Sequence, residues 1–168
     1  MESTTIQPAK PKAAEQMISP KLIIPFVNST RKVFSTMVGV QTTVNHPHVK
    51  TNPIPSFDIS GIIGFSGDIL GSVVISFQTQ AAVKLVSAFT GMPITADSPD
   101  FSDAIGELAN MIAGSAKKDL ECKANITCPT VIIGAGHHIA RLSGVPCVVI
   151  PCTTPDGDFA VEVNIKVK

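Results

Sequence analysis

Neither sign of charge dominates this chain. Thirteen lysines and arginines balance 13 aspartates and glutamates, and the basic residues are scattered rather than clustered. That distribution argues against nucleic acid or an anionic membrane as the main partner. No apolar run reaches the roughly 18 residues that a bilayer-spanning helix needs, and the N-terminus lacks a signal-peptide core, so the expectation is a cytoplasmic protein with no membrane insertion. The four cysteines, Cys122, Cys128, Cys147 and Cys152, contain no C-x-x-C pair. Each lies in or beside an apolar segment, which predicts buried, reduced thiols rather than disulfides or zinc ligands.

The usual signatures of a self-contained active site are also missing. Gly134-Ala-Gly136 lacks the remainder of a dinucleotide fingerprint, and no Walker A motif occurs. No serine sits in a nucleophile elbow. The histidine clusters are His46-x-His48 and His137-His138. Adjacent histidines point apart more often than they chelate, and no cysteine or carboxylate completes a ligand set at a recognisable spacing, so no metal site is expected. Asp156-Gly-Asp158 lacks the rest of a calcium loop and reads as a turn.

What is present is enough apolar residue, 44% of 168, to bury a real core in one domain. Residues 1–18, polar and containing Pro8 and Pro11, read as a disordered tail, and residues 19–168 as a single domain. Ser19-Pro20 opens a helix expected to run to about Val38, with Ile23, Phe26, Val27, Phe34 and Met37 inward and Gly39 ending it. A weak strand over Gln41–His46 is broken by His46-Pro47-His48. Phe57–Phe65 and Ile69–Phe77 form a hairpin around Ser66-Gly67-Asp68. A helix over Gln80–Phe89 follows, then a longer one from Ser98-Pro99-Asp100 to about Glu121. Asn125–Gly134 and Val145–Thr153 are strands interrupted by Pro129, Pro146 and Pro151, which prevents pairing along their full length on both sides. In Phe159–Val167 the apolar residues alternate with Glu162, Asn164 and Lys166. Helices and strands are segregated, which predicts an α+β fold with a mostly antiparallel sheet and helices packed against it.

The most informative stretch is Asp103–Lys117. Phe101, Ile105, Leu108, Ile112 and Ala116 make the apolar side of its helix, and Asp103, Glu107, Asn110, Gly114, Lys117 and Glu121 make a second stripe. Glu107 and Asn110 are three residues apart, about 4.5 Å along a helix axis and on one face. Gly106, Ala109, Ala113 and Gly114 surround them with little bulk, although glycine inside a helix costs about 1 kcal/mol relative to alanine. The small residues are therefore expected to let a partner protein approach the backbone. A solvated face is the alternative explanation of the same periodicity. An amide is no useful general base, but it accepts and donates hydrogen bonds and can orient a water molecule. A glutamate one turn away suits a lysine on whatever partner carries the reacting group.

The run Ala104-Ile-Gly-Glu-Leu-Ala-Asn-Met-Ile-Ala-Gly114 resembles the signature helix of the CheC/CheX/FliY family of chemotaxis phosphatases, whose hallmark is E-x-x-N. Ile126-Thr-Cys-Pro-Thr-Val131 with Gly134 is similar to the strand that follows that helix, and the Gly61–Phe77 hairpin, containing Gly67-Asp-Ile-Leu-Gly-Ser72, also matches. The resemblance covers roughly 21–167 and is closest to the CheX branch. It implies a CheX-like fold and a phosphatase acting on the aspartyl phosphate of a CheY-like response regulator. Asn110 would then orient the attacking water and Glu107 would pair with the regulator's active-site lysine. Asp103, Gly106, Ala109, Ala113, Gly114 and Lys117 would contact the regulator. The resemblance implies no cofactor of the chain's own, since magnesium is expected on the regulator. CheC-like members carry a second E-x-x-N in an earlier helix; here Asn28 is present, but Pro25 stands where the glutamate is needed. That implies one site per protomer and a homodimer joined through sheet edges. The competing reading is a non-catalytic dimeric module of a chemotaxis or flagellar-switch complex, for which the same helix is a docking surface. His137 and His138 have no counterpart in the family pattern.

Overall fold

The computed structural model describes residues 19–168; the reading of residues 1–18 as a disordered tail lies outside them. Pro20 occupies the first turn of α1 (Pro20–Val33), where its missing N–H is no loss. A π-helical turn, Phe34–Val38, continues α1, and Gly39 ends it in the left-handed conformation, φ 73°. The wider turn changes which residue faces inward. Val38 is buried and Met37 is 49% exposed, correcting the expectation for Met37, because one extra residue per turn rotates the following side chains off the regular helical stripe.

Next come β1 (Thr43–Val44), inside the weak strand expected over Gln41–His46, and β2 (His48–Val49), a second short strand beyond Pro47 that the sequence pattern does not predict. The hairpin is β3 (Ile59–Gly67) and β4 (Ile69–Phe77), followed by α2 (Thr79–Thr90) and α3 (Pro99–Asp119). Strands β5 (Ala124–Ile126), β6 (Thr130–Ile133), β7 (Val148–Thr154) and β8 (Gly157–Val167) complete the chain. The strands form one sheet in the order β1-β7-β8-β4-β3-β5, with β2 also on β7 and β6 also on β3. Every pairing is antiparallel, as expected for the α+β class. Pro151 is accommodated because β1 and β2 pair with β7 on either side of it and leave the gap at the proline.

The helices pack on one face of the sheet. Phe34 stacks on Phe159 of β8 with ring centroids 4.3 Å apart, and the Ser29 hydroxyl of α1 donates to the Ile112 carbonyl of α3 at 2.6 Å. The opposite face is covered as well. β6 lies beside β3 and β7 beside β8, so the connection 134–147 has to cross the sheet, and it does so on the side away from the helices. Glu162 and Asn164 of β8 are fully buried beneath it. Asn164 accepts from the Leu142 N–H and donates to the Val145 carbonyl, both at 2.8 Å. Glu162 and Asn164 thus anchor a crossover rather than face water, while Lys166 farther along β8 is exposed. Of the cysteines, Cys147 and Cys152 are buried, Cys122 is half-buried and Cys128 is exposed; all four are free thiols, and Cys128 corrects the expectation of uniform burial.

Candidate functional site

Helix α3 is well specified at both ends. Ser98 caps it by accepting from the Asp100 N–H at 3.3 Å, Pro99 occupies the first turn, and Asp100 and Lys117/Lys118 complement the helix dipole. Its inward side includes Phe101, Ile105, Leu108, Ile112 and Ala116, all fully buried. On the outer stripe Asp103 and Glu107 are exposed, and Asn110, Gly114 and Lys117 are half-buried. Neither Glu107 nor Asn110 makes a side-chain hydrogen bond or ion pair among the described residues. Both side chains therefore keep their bonding capacity for something outside this fold.

The small residues behave differently from expectation. Gly106, Ala109 and Ala113 are buried against the protein's own sheet and are not available to a partner. A β-carbon on Gly106 would lie 3.2 Å from Cγ of Pro129 and 3.4 Å from Cγ2 of Val131. On the other flank, a β-carbon on Gly61 of β3 would lie 3.0 Å from Cβ of Ala109 and 3.3 Å from the Ile105 carbonyl oxygen. Small side chains on α3 let it sink onto β3 and β6; closeness to the sheet, not to a visitor, accounts for them. Gly114 is more open, with only Ile126 Cδ1 within 4 Å of its would-be β-carbon, at 3.9 Å.

The edge strand beside the site is bulged. Between the pairs Phe65↔Ile126 and Ile62↔Thr130, β3 contributes Ile63 and Gly64 while its partner contributes Thr127, Cys128 and Pro129. One extra residue on an edge bends the strand and ends regular pairing, a device often found next to functional sites. The bulge is held by Gly64, whose N–H donates to the Thr127 hydroxyl at 2.9 Å and whose carbonyl accepts from the Thr127 N–H at 3.0 Å. Thr127, Cys128, Pro129 and Thr130 are exposed along the flank of α3 that carries Gly106, Asn110 and Gly114. Gly61 and Pro129 are the residues that sequence reasoning did not assign to the site. A glycine inside a strand, marking close backbone approach, was the available signal.

His137 and His138 lie away from this surface. His137 bridges the Ser60 hydroxyl, 2.9 Å from Nε2, and the Gly134 carbonyl, 2.7 Å from Nδ1. Ser60 points to the sheet face opposite α3, so His137 pins the start of the crossover. His138 is exposed. Among the described residues no group of three or more His, Cys, Asp or Glu side chains is placed to hold a metal ion, and no helix is long and apolar enough to cross a membrane.

A family model for the chemotaxis phosphatase CheX matches residues 59–153, more than half of the chain and the segment that carries α3, its seat and the crossover. The chain belongs to the CheX family. It is 30% identical over 150 residues to the CheY-P phosphatase CheX of Thermotoga maritima, covering 87% of this chain and 96% of that protein. The crystal structure of a chemotaxis protein CheX from Desulfovibrio desulfuricans is 34% identical with a TM-score of 0.79, over 88% of this chain and 99% of that one. The fold is also that of CheX in a CheX–CheY–BeF3–Mg complex from Borrelia burgdorferi, 24% identical, TM-score 0.73, over 86% of this chain and 97% of that one. CheX family membership and the α+β fold thus agree with the resemblance read from the E-x-x-N helix.

Proposed function

We propose that this CheX-family protein is a cytoplasmic phosphatase that hydrolyses the aspartyl phosphate of a CheY-like response regulator. The observation that carries the reading is the pair Glu107 and Asn110, unpartnered and outward-facing on a helix whose other sides are packed. The activity named for the Thermotoga maritima relative is the second support. Asn110 inserts its amide beside the phosphoryl group and holds the attacking water in line, donating or accepting hydrogen bonds without taking a proton to keep. Glu107, exposed and one turn earlier, pairs with the regulator's active-site lysine and fixes the docking register. Water attacks phosphorus, the P–O bond to the aspartate breaks, and inorganic phosphate leaves while the regulator's carboxylate is restored. Magnesium belongs to the phosphorylated substrate, and the chain contributes no cofactor.

Contact with the regulator extends along the outer stripe, through Asp103, Gly114 and Lys117. A homodimer joined through a sheet edge belongs to the same reading. In its favour are Val49 on β2 and Ile133 on β6, 53% and 48% exposed at the two margins of the sheet. The test is phosphate release from a panel of the host's phosphorylated response regulators. Accelerated release from at least one supports the reading. Tight binding without acceleration favours a docking module instead.

A further inference from the structure

The turn of α3 that carries Glu107 and Asn110 is wedged. On one side Gly61 admits Ala109 and the Ile105 carbonyl; on the other Gly106 admits the Pro129 ring. Neither glycine has a positive φ, so conformational freedom does not explain them and the absent β-carbon does. Gly106 immediately precedes Glu107 and lies one turn before Asn110. Pro129 is the last residue of an exposed edge bulge, a wall fixed by the Thr127–Gly64 hydrogen bonds. A methyl group at 106 would meet that ring closer than side chains ordinarily pack, and relief requires the helix or the bulge to move by a few tenths of an ångström.

The geometry points to Gly106 and Pro129 as positioning residues for the reaction. Their contact sets the depth at which α3 is seated, and hence where the Asn110 amide stands relative to a docked phosphoryl group. The inference rests on the phosphatase reading above. Orientation of a water by one amide is sensitive to displacements well below 1 Å, since a misplacement of about 1 Å costs on the order of a hundredfold in rate.

The experiment is multiple-turnover decay of a phosphorylated CheY-like regulator, giving kcat and KM for the wild type, Asn110→Ala, Gly106→Ala, Pro129→Ala and the Gly106→Ala/Pro129→Ala pair. NMR of the Asn110 side-chain amide is recorded in parallel. Gly106→Ala is expected to lower kcat about tenfold with KM changed less than about twofold and the amide resonance shifted. In the double variant the new methyl occupies the space left by the ring, so kcat rises above that of Gly106→Ala and the resonance returns toward its original place. A folded Gly106→Ala with wild-type kcat, or a double variant no better than Gly106→Ala, overturns the inference. Should Gly106→Ala not fold, Pro129→Ala decides: a lowered kcat at unchanged KM supports positioning, and an unchanged kcat overturns it. Wild-type activity lost in Asn110→Ala keeps the phosphatase reading intact whatever Gly106 does. An inactive wild type overturns both, and an unmoved Asn110 resonance in Gly106→Ala overturns the inference alone.

Discussion

The guanidinium of Arg141, on the crossover between β6 and β7, meets the buried carboxylate of Glu162 on β8. The same carboxylate accepts from the Ser56 N–H at 2.7 Å, the Ser56 hydroxyl at 2.6 Å and Lys50 Nζ at 3.2 Å. One side chain therefore ties the crossover and the β2–β3 connection to the strand beneath them. Removing it leaves two cations with little access to water, since the Arg141 and Lys50 side chains are 12% and 8% exposed.

Glu162→Gln is accordingly expected to destabilise the fold by about 3–5 kcal/mol at neutral pH. Burial pushes the Glu162 carboxyl up, but the Ser56 hydrogen bonds and the charges of Arg141 and Lys50 outweigh it and hold it below the ordinary glutamate value. A carboxyl depressed in the folded state stabilises most above its unfolded pKa of about 4.3, and loses that contribution as pH falls toward the folded value. The stability gap between wild type and Glu162→Gln, measured by urea unfolding, should narrow below about pH 4.3. An equal gap at pH 7 and pH 3 contradicts this account.

Gly71 is the strand position least tolerant of a side chain. Its φ is 135°, and a β-carbon there would lie 2.0 Å from the Asn164 carbonyl oxygen on the paired strand. Gly71→Ala should lose at least about 3 kcal/mol, combining backbone strain with a broken β4–β8 register. Chemical denaturation checks it, and a shift of under about 1 kcal/mol argues against the geometry of this pair.

The thiols should separate by accessibility. Burial pushes Cys147 up to about 11, with the charge of Arg141 offsetting part of the effect, and Cys152 up to about 12. Neither is appreciably a thiolate at pH 8, and both are out of reach of reagent. A disulfide reagent such as DTNB should label exposed Cys128 fast and Cys122 slowly, reaching Cys147 and Cys152 only on unfolding. Rapid labelling of all four contradicts the burial of Cys147 at the end of the crossover and of Cys152 in β7.

Much of this architecture is legible in the residues, because it follows from short-range chemistry. Ser98-Pro99-Asp100 starts α3, and Ser66-Gly67-Asp68 turns the hairpin. Pro129 falls in the gap between β5 and β6, and Pro151 interrupts pairing on one side of β7 while staying in register with β8 on the other. The π-helical turn after Val33 was not legible, since nothing in Phe34–Val38 distinguishes a five-residue turn from a regular one. The burial of Glu162 and Asn164 was not legible either. Alternation along a strand reports two faces, but it cannot report that a loop more than 15 residues away in sequence covers the second one. At the site, the outward pair Glu107 and Asn110 followed from three-residue spacing. The meaning of Gly106, Ala109 and Ala113 did not, because a small residue looks the same in sequence whether it makes room for a partner or for the protein's own sheet.

Glu107 and Asn110 should fail differently when altered. Glu107→Ala loses a charge-assisted contact that fixes docking, so KM for the phosphorylated regulator should rise by about tenfold, corresponding to 1–2 kcal/mol, with a smaller effect on kcat. Raising ionic strength should narrow the difference between wild type and this variant. A Glu107→Ala enzyme with unaltered KM and salt dependence places the docking contact elsewhere on the stripe.

Asn110 carries the central claim, and the decay of a phosphorylated CheY-like regulator with wild-type protein and with Asn110→Ala tests it most directly. Binding of the regulator should change by less than about threefold, while the acceleration of decay falls by a factor of about 100 or more. Asn110→Ala protein that still accelerates dephosphorylation at the wild-type rate would contradict the account.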